Sequence, residues 1–483
     1  MNIQYKKQFL VSLSVTLCLL FAVTIRAYNI NYESLWFDEI LSFWVADPLI
    51  TISESFERHQ SIEQIPFLYN LTLKIIFKIF GYNENIGRHL SLIFNIFGIF
   101  FIFRTSSLLK KNNSFILTLF LLSTNIYLIT YSQELRPYSL IFFLCSLNIF
   151  LFCKIIKTSV SKEIKMYDLC SYCFVQILMI LSHPFCLIIF FSTTLFLIFK
   201  YIKDKKIIKI FNISFWISLI FSLVYFFYYL KSTSSFPGWI EQPGIKFYTN
   251  FYFSNFFGSR IMGLIHLIIL LSLIFLFIKK FKNEFFNLNI FLIIIFLSYS
   301  LPLIFGYIFK PIIFPRYIIF VLIPTIILLS FLTFEINNKI IKNGIIIILV
   351  SINLGNHFTE STFQQFIKEK TRYKPEFKAM INLLNESSIK NYALNLSMPE
   401  SKRLYVDRAI KNYISKLSIN QNIKLNHIYN IKEANSHNKK IWIICLTNIS
   451  KNKCRDSKSI SSFKTLKIAY FSGIKLMLIG PIK

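Results

Sequence analysis

Charge is scarce in this sequence, and negative charge is scarcest. Of its 483 residues only 16% are charged, and 23 acidic side chains stand against 53 basic ones. So few charges beside 54% hydrophobic residues and 55 phenylalanines exclude an ordinary soluble protein. There is no P-loop and no dinucleotide-binding glycine fingerprint, so nothing points to a nucleotide. Cys170 and Cys173 form a C-x-x-C, but no second pair follows at zinc-site spacing. No clear internal half-repeat is present, which disfavours the usual transporter architecture.

What the sequence does have is apolar runs of about 18 residues, long enough to cross a hydrocarbon core. Spans are expected near 8–27, 89–103, 114–131, 138–153, 167–182, 184–199, 211–230, 261–278, 286–308, 316–334 and 340–355, about eleven in all. Lys6 and Lys7 precede the first, and Arg26 stands where a cleavage site would be, so an uncleaved signal anchor is expected. Residues 1–355 are therefore read as a transmembrane domain. Residues 356–483 are polar and basic with short apolar strands such as KIWIICL and LKIAYF, and read as a small α/β soluble domain.

The net charge of +30 resembles that of a nucleic-acid binder. Its distribution excludes that partner. The basic residues fall in short loops between spans, beside phosphate-bearing lipid. The segment 66–80 decides the register. Asn70, Lys74 and Lys78 recur every four residues and make one polar stripe. A helix of that length covers about 22 Å, too short to cross. It is read as an amphipathic helix in the interface. Every second loop is then basic: Arg104 with Lys110 and Lys111; Lys154, Lys157, Lys162 and Lys165; Lys200, Lys203, Lys205, Lys206 and Lys209; Lys279, Lys280 and Lys282; Lys339 and Lys342. The positive-inside rule puts these loops and the N-terminus in the cytoplasm, and the C-terminal domain outside.

Cys18, Cys145, Cys153, Cys170, Cys173 and Cys186 lie in or beside spans and read as buried thiols. Cys445 and Cys454 lie in the C-terminal domain, where an extracytoplasmic location permits a disulfide.

The chemically distinctive segments all land on the outer face. In NYESLWFDEILSFWVADP, Asp38 and Glu39 sit among Trp36, Phe37, Ile40 and Leu41. A carboxylate held at the membrane boundary is partly desolvated and can serve as a general base or bind a cation. The plainer reading is a solvated acidic pair at a helix start. Arg88, Arg136 and Arg316 stand at outer span ends. Arginine suits phosphate because its planar fork donates two hydrogen bonds and stays charged; arginine at a span end also simply snorkels. Lys310 is a further candidate for phosphate, and His183 before Pro184 is either a hydrogen-bonded interface histidine or a site residue. Trp239 and Glu241 lie in the FPGWIEQPG loop, where an aromatic belt is the plainer role.

In order along residues 8–330, these segments resemble the GT-C superfamily of polyprenyl-phosphate-sugar glycosyltransferases, and within it the bacterial protein O-mannosyltransferases and the ArnT-like family. LWFDE resembles the acidic motif of the first outer loop. IPFLYNLTLKIIFKIFG is similar to the family's H-P-P-L-Y-Y segment, with Gln64 and Ile65 in place of its His and first Pro. ENIGRHLS, YSQELRPYSL, LSHPF and FPRYIIFVLIP follow in family order.

The resemblance implies a polytopic α-helical GT-C-like fold with interfacial helices in the first outer loop, Asp38 as the catalytic acid residue and Glu39 as a second candidate. It implies phosphate contacts from Arg88, Arg136, Arg316 and Lys310, and substrate contacts from Gln133, Glu134, Tyr138, His183 and Tyr317. The expected activity is inverting transfer of a sugar from a polyprenyl-phosphate donor to a cell-envelope acceptor (glycan, lipid or protein) at the outer face of a bacterial inner membrane. No cofactor is evident. A divalent metal is not indicated by spacing, although Asp38, Glu39 and His183 would form a ligand set if folding joined them. The alternative is a transporter or flippase of lipid-linked glycans. Such a protein would place charged residues near the bilayer midplane, whereas here they cluster at span ends.

The topology has a direct test. Alkaline phosphatase fused after Lys483 is expected to be active and green fluorescent protein fused there to be dark. The reverse pair would put the C-terminal domain in the cytoplasm.

Overall fold

The computed structural model describes residues 3–63, 65–109, 113–161, 165–201, 216, 219–220, 223, 240–283, 288–359, 374–395, 400–419, 424–428, 440–446 and 463–481. The expected span 211–230 lies largely outside the described residues, as do Gln64, Lys110, Lys111, Lys162, Lys203, Lys205, Lys206, Lys209, Trp239 and Cys454. The helices are α1 (Ile3–Ala27), α2 (Phe37–Val45), α3 (Ile52–Ile62), α4 (Leu68–Phe80), α5 (Glu84–Leu108), α6 (Ser114–Thr124), α7 (Ile126–Ser132), α8 (Tyr138–Ser161), α9 (Met166–Ile180) and α10 (Leu187–Tyr201). They continue with α11 (Arg260–Asn283), α12 (Asn289–Ile308), α13 (Leu322–Glu335), α14 (Lys339–Thr359), α15 (Phe377–Glu386) and α16 (Glu400–Ile419).

The chain divides into two compact units. One comprises Met1–Tyr28, Gln64–Tyr69 and Arg88–Glu369; the other comprises Asn29–Glu63, Asn70–Gly87 and Lys370–Lys483. The first is the helical membrane part. Among the described residues seven helices are long and apolar enough to cross a membrane, or eight if α6 and α7, bent by 54°, count as one span. The helices α9 and α10 are apolar but shorter. Leu10, Leu17 and Leu20 of α1, and Phe275 and Leu276 of α11, stay exposed, as suits side chains that face lipid. The most enclosed span is Pro315–Glu335, of which 89% of the apolar window is buried. It opens with a 3-10 stretch, Pro315–Val321, that runs directly into α13.

The bend between α6 and α7 has an identifiable cause. Asn125 leaves the helical conformation and its side chain accepts from Leu128 N at 3.0 Å, capping α7. That break orphans carbonyls at the end of α6. Arg26, fully buried in α1, takes them up: its guanidinium donates to Leu122 O at 3.0 Å and Ser123 O at 2.9 Å, and its Nε to Asn95 Oδ1 at 2.9 Å. An arginine inside a span ordinarily suggests a ligand site; here the same donors hold the fold.

In the second unit, α4 is 13 residues long and is not of spanning length. Of its polar stripe, Asn70 and Lys74 turn inward while Lys78 is exposed. Asn70 is 1% exposed and its amide lies 3.0 Å from His59 Nδ1; the ammonium of Lys74 donates to the carbonyls of Asp47 and Ile50. Ile75, Ile79 and Phe80 are exposed instead. Tyr69, Leu73 and Phe77 of the same helix are buried with Asn70 and Lys74, so α4 packs one mixed face on the protein and leaves an apolar edge exposed, as suits a helix at an interface.

The C-terminal part carries a five-stranded sheet in the order β2 (Asn426–His427), β1 (Asn391–Asn395), β3 (Ile441–Leu446), β5 (Ile474–Pro481), β4 (Phe463–Phe471). β1 pairs in parallel with β2 and β3, while β3–β5 and β5–β4 are antiparallel. IWIICL, buried at all six positions, is the central strand β3, as an unbroken apolar run requires. β4 is the edge strand, with Lys464 and Lys467 exposed along it. Cys445 on β3 is disulfide-bonded, while Cys18, Cys145, Cys153, Cys170, Cys173 and Cys186 are free. The expected partner, Cys454, lies outside the described residues.

Candidate active site

In the helical unit three separate sequence segments meet around two tyrosines. The YSQELRPY segment leaves α7 as an irregular turn, and Pro137 starts α8 just before Tyr138. The FPRY segment starts the most enclosed span with Pro315, which fixes the approach of Arg316. The Arg136 guanidinium lies 5.9 Å from the Tyr138 ring centre and that of Arg316 5.4 Å from it. Arg316 also lies 5.2 Å from the Phe314 ring and 5.8 Å from the Tyr317 ring. Each ring face attracts a cation and helps to hold two like charges in one place.

His183 completes this group. Its ring centre is 5.1 Å from that of Tyr317, and Phe185 N donates to its Nδ1 at 3.2 Å. Burial, and then the positive charges of Arg136 and Arg316, push its pKa down to about 3. The imidazole is therefore neutral, and because Nδ1 accepts, the ring proton sits on Nε2. That leaves Nε2–H as a neutral donor beside two cations, a set suited to an anion. Gln133 serves the backbone instead. Its amide donates to Arg26 O at 3.0 Å and Tyr28 O at 3.1 Å, fixing the C-terminal end of α1 to the turn. Glu134 is buried in the same turn and Arg88 is buried early in α5. Lys310 is exposed just beyond the end of α12.

In the second unit the structure separates the adjacent acids. Both lie in the first turn of α2, where the helix dipole favours negative charge. Glu39 is fully buried; its Oε2 accepts from Trp36 N at 3.1 Å and from Lys374 Nζ at 2.9 Å. It is the brace of the turn. Asp38 points a helical step away and is half-exposed. The turn has more supports. Leu35 N donates to Tyr413 Oη at 3.0 Å, and Tyr413 Oη donates to Glu84 Oε2 at 2.8 Å. Lys378 pairs with Glu84 at 2.5 Å, and Lys378 N donates to Ser34 Oγ at 3.2 Å. So residues 34–39 are held by side chains of the C-terminal segment. Lys374 and Tyr413 were not identified from the sequence, and with 335 residues between Lys374 and Glu39 no local pattern signals the pair. Among the described residues no three His, Cys, Asp or Glu side chains are gathered as a metal site.

Removing one partner of a buried ion pair costs about 3–5 kcal/mol locally. Lys374→Met is therefore expected to speed amide hydrogen exchange across residues 34–40, read by mass spectrometry on the full chain, while exchange in α8 and α13 stays unchanged. Unaltered protection of the LWFDE turn would refute the bracing role.

No family model and no curated protein sequence matches the chain. Solved structures do. The crystal structure of ArnT from Cupriavidus metallidurans in the apo state superposes with a TM-score of 0.58 at 8% identity, covering 98% of each chain. The structure of the same protein bound to undecaprenyl phosphate gives 0.56 at 9% identity, covering 97% of each. The architecture expected from the sequence, a polytopic GT-C-like helical membrane part with a small C-terminal sheet domain, is the observed one, and the chain shares its fold with ArnT over nearly its whole length.

Proposed function

We propose that this multi-pass membrane protein is an inverting glycosyltransferase that moves a sugar from a polyprenyl-phosphate donor to a cell-envelope acceptor at the outer face of the inner membrane. The observation that carries this reading is the convergence of Arg136, Arg316, Tyr138, Tyr317 and neutral His183 in one group, from segments spread along the chain. A phosphate diester at a membrane surface needs such a group: fixed cations, aromatic walls and a neutral donor. The fold shared with a protein solved with undecaprenyl phosphate supports the same donor class.

In this reading the donor phosphate lies between Arg136 and Arg316, with His183 Nε2–H as a further donor, and the isoprenoid tail runs along the spans. Asp38 takes the proton of the acceptor hydroxyl as its oxygen attacks the anomeric carbon. The bond from that carbon to the phosphate oxygen breaks, and the pair of electrons leaves on polyprenyl phosphate. The two arginines stabilise the charge that develops there. One displacement inverts the anomeric centre. Glu39 and Lys374 keep the helix carrying Asp38 in place, and Gln133 keeps the arginine turn in place. Arg88 and Lys310 are assigned as outer phosphate contacts, and Glu134 as a substrate contact. Residues 1–355 form the catalytic membrane domain, and the domain over 356–483 is extracytoplasmic.

The experiment is transfer of radiolabelled sugar from a panel of polyprenyl-phosphate donors to envelope acceptors, in membranes holding wild type or Asp38→Asn. Loss of a general base lowers rates by about 10²–10⁴-fold, so Asp38→Asn at equal abundance is expected to lose transfer. Equal transfer by both proteins would remove Asp38 as the base and keep the enzyme. No transfer by wild type with any donor would contradict the transferase reading.

A further inference from the structure

The helix that carries Asp38 also carries Trp44, six residues on and about 9 Å along its axis. Trp44 forms the floor of a cleft of 660 Å³ between α3 and α16. From α16 this cleft receives Arg408, Lys411 and Lys416. Steps of three and eight residues put all three on one helical face. From α3 it receives Arg58, Glu54 and Glu57.

These charges do not balance. Arg58 is engaged: one nitrogen donates to Glu54 Oε1 at 2.7 Å, the other to Trp44 O at 3.1 Å, and the guanidinium lies 4.5 Å from the Trp44 ring. Arg58 thus braces the floor and takes Glu54 with it. Glu57 remains against the three cations of α16. Lys416 is steered by the Tyr82 ring, 5.0 Å from its ammonium. Arg408 is exposed at the rim, and Lys411 is half-buried between them. Asn412 and Ser415 stand beside the cations, and the Trp44 and Tyr405 rings supply the apolar part of the lining. A cavity of this size and polarity suits a hydrophilic ligand of a few rings, and the excess of cations selects an anion.

We propose that this cleft binds an anionic saccharide, the acceptor's charged portion, and that Arg408, Lys411 and Lys416 are its specificity-determining residues. The role as acceptor rests on the transferase reading above; the binding itself does not. With Asp38 and Trp44 on one rigid helix, a saccharide seated in the cleft is held at a fixed distance from the base. The C-terminal domain then does two things: it braces the catalytic turn through Lys374 and Tyr413, and it selects what reaches that turn through α16.

The test uses the purified full-length protein in detergent and four probes: an oligogalacturonate, a phosphorylated oligomannoside, and the neutral counterpart of each. Calorimetry is expected to show saturable binding of at least one anionic probe, weakening as ionic strength rises, and none of the neutral ones. The double variant Arg408→Gln with Lys411→Gln is expected to weaken binding roughly tenfold or more. Lys416→Gln, made separately, is expected to weaken it too, with thermal unfolding midpoints checked for both. The better anionic probe tells carboxylate from phosphate. Equal binding of neutral sugar, unchanged binding in both variants, or no saturable binding of either anionic probe would overturn the proposal. Complete displacement by phosphatidylglycerol vesicles without any saccharide binding would do so as well, by making the cleft a lipid contact. Failed transfer by a wild-type protein that binds the probes would count against the transferase reading alone.

Discussion

Two guanidinium groups share one tyrosine ring in the helical unit, and much of the structure around them follows from holding them there. Arg136 and Arg316 lie 5.9 and 5.4 Å from Tyr138. Like charges at such range in a poorly solvated place repel, so the backbone that carries them has to be stiff. The sequence supplies that stiffness. A proline stands next to each arginine, Pro137 and Pro315, and each opens a span. Gln133 locks the turn before Pro137 through its amide on the Arg26 carbonyl, and the Arg26 side chain holds the break between α6 and α7 that leads to it. The aromatic residues Phe314 and Tyr317 then surround Arg316. Neutral His183 sits where a protonated histidine would add a third positive charge.

The second unit solves a related problem by a different means. A nine-residue helix cannot by itself hold a carboxylate in a defined direction. The acidic pair divides the work. Glu39, buried and doubly hydrogen-bonded, fixes the helix start, so Asp38 keeps its partial exposure. Lys374 and Tyr413, which bond Glu39 and Leu35, come from far downstream, so the C-terminal segment is part of what holds this turn.

Much of this was legible in the sequence because it depends on local pattern. Apolar runs of spanning length, the strands IWIICL and LKIAYF, and the motif residues Arg136, Tyr138, His183, Arg316 and Tyr317 all announce themselves over a few positions. The expectation that those motifs share one face rests on charge alternation between loops. Three things were not legible. The Lys374–Glu39 pair is non-local, so neither residue hints at the other. Gln133 stands within a site motif yet holds backbone, a distinction that only coordinates supply. The stripe of Asn70, Lys74 and Lys78 has helical spacing, but periodicity does not say which side meets protein; here Asn70 and Lys74 do, together with Leu73 and Phe77, while Lys78 is exposed.

The most direct test of the paired-arginine site is binding of its anion. Undecaprenyl phosphate and undecaprenol would be titrated against the purified protein by native mass spectrometry, with Arg136→Gln and Arg316→Gln alongside. The account predicts that the phosphate ester binds and the alcohol does not. Each substitution should weaken binding by roughly tenfold or more. Equal binding of the alcohol, or undiminished binding in both variants, would contradict it.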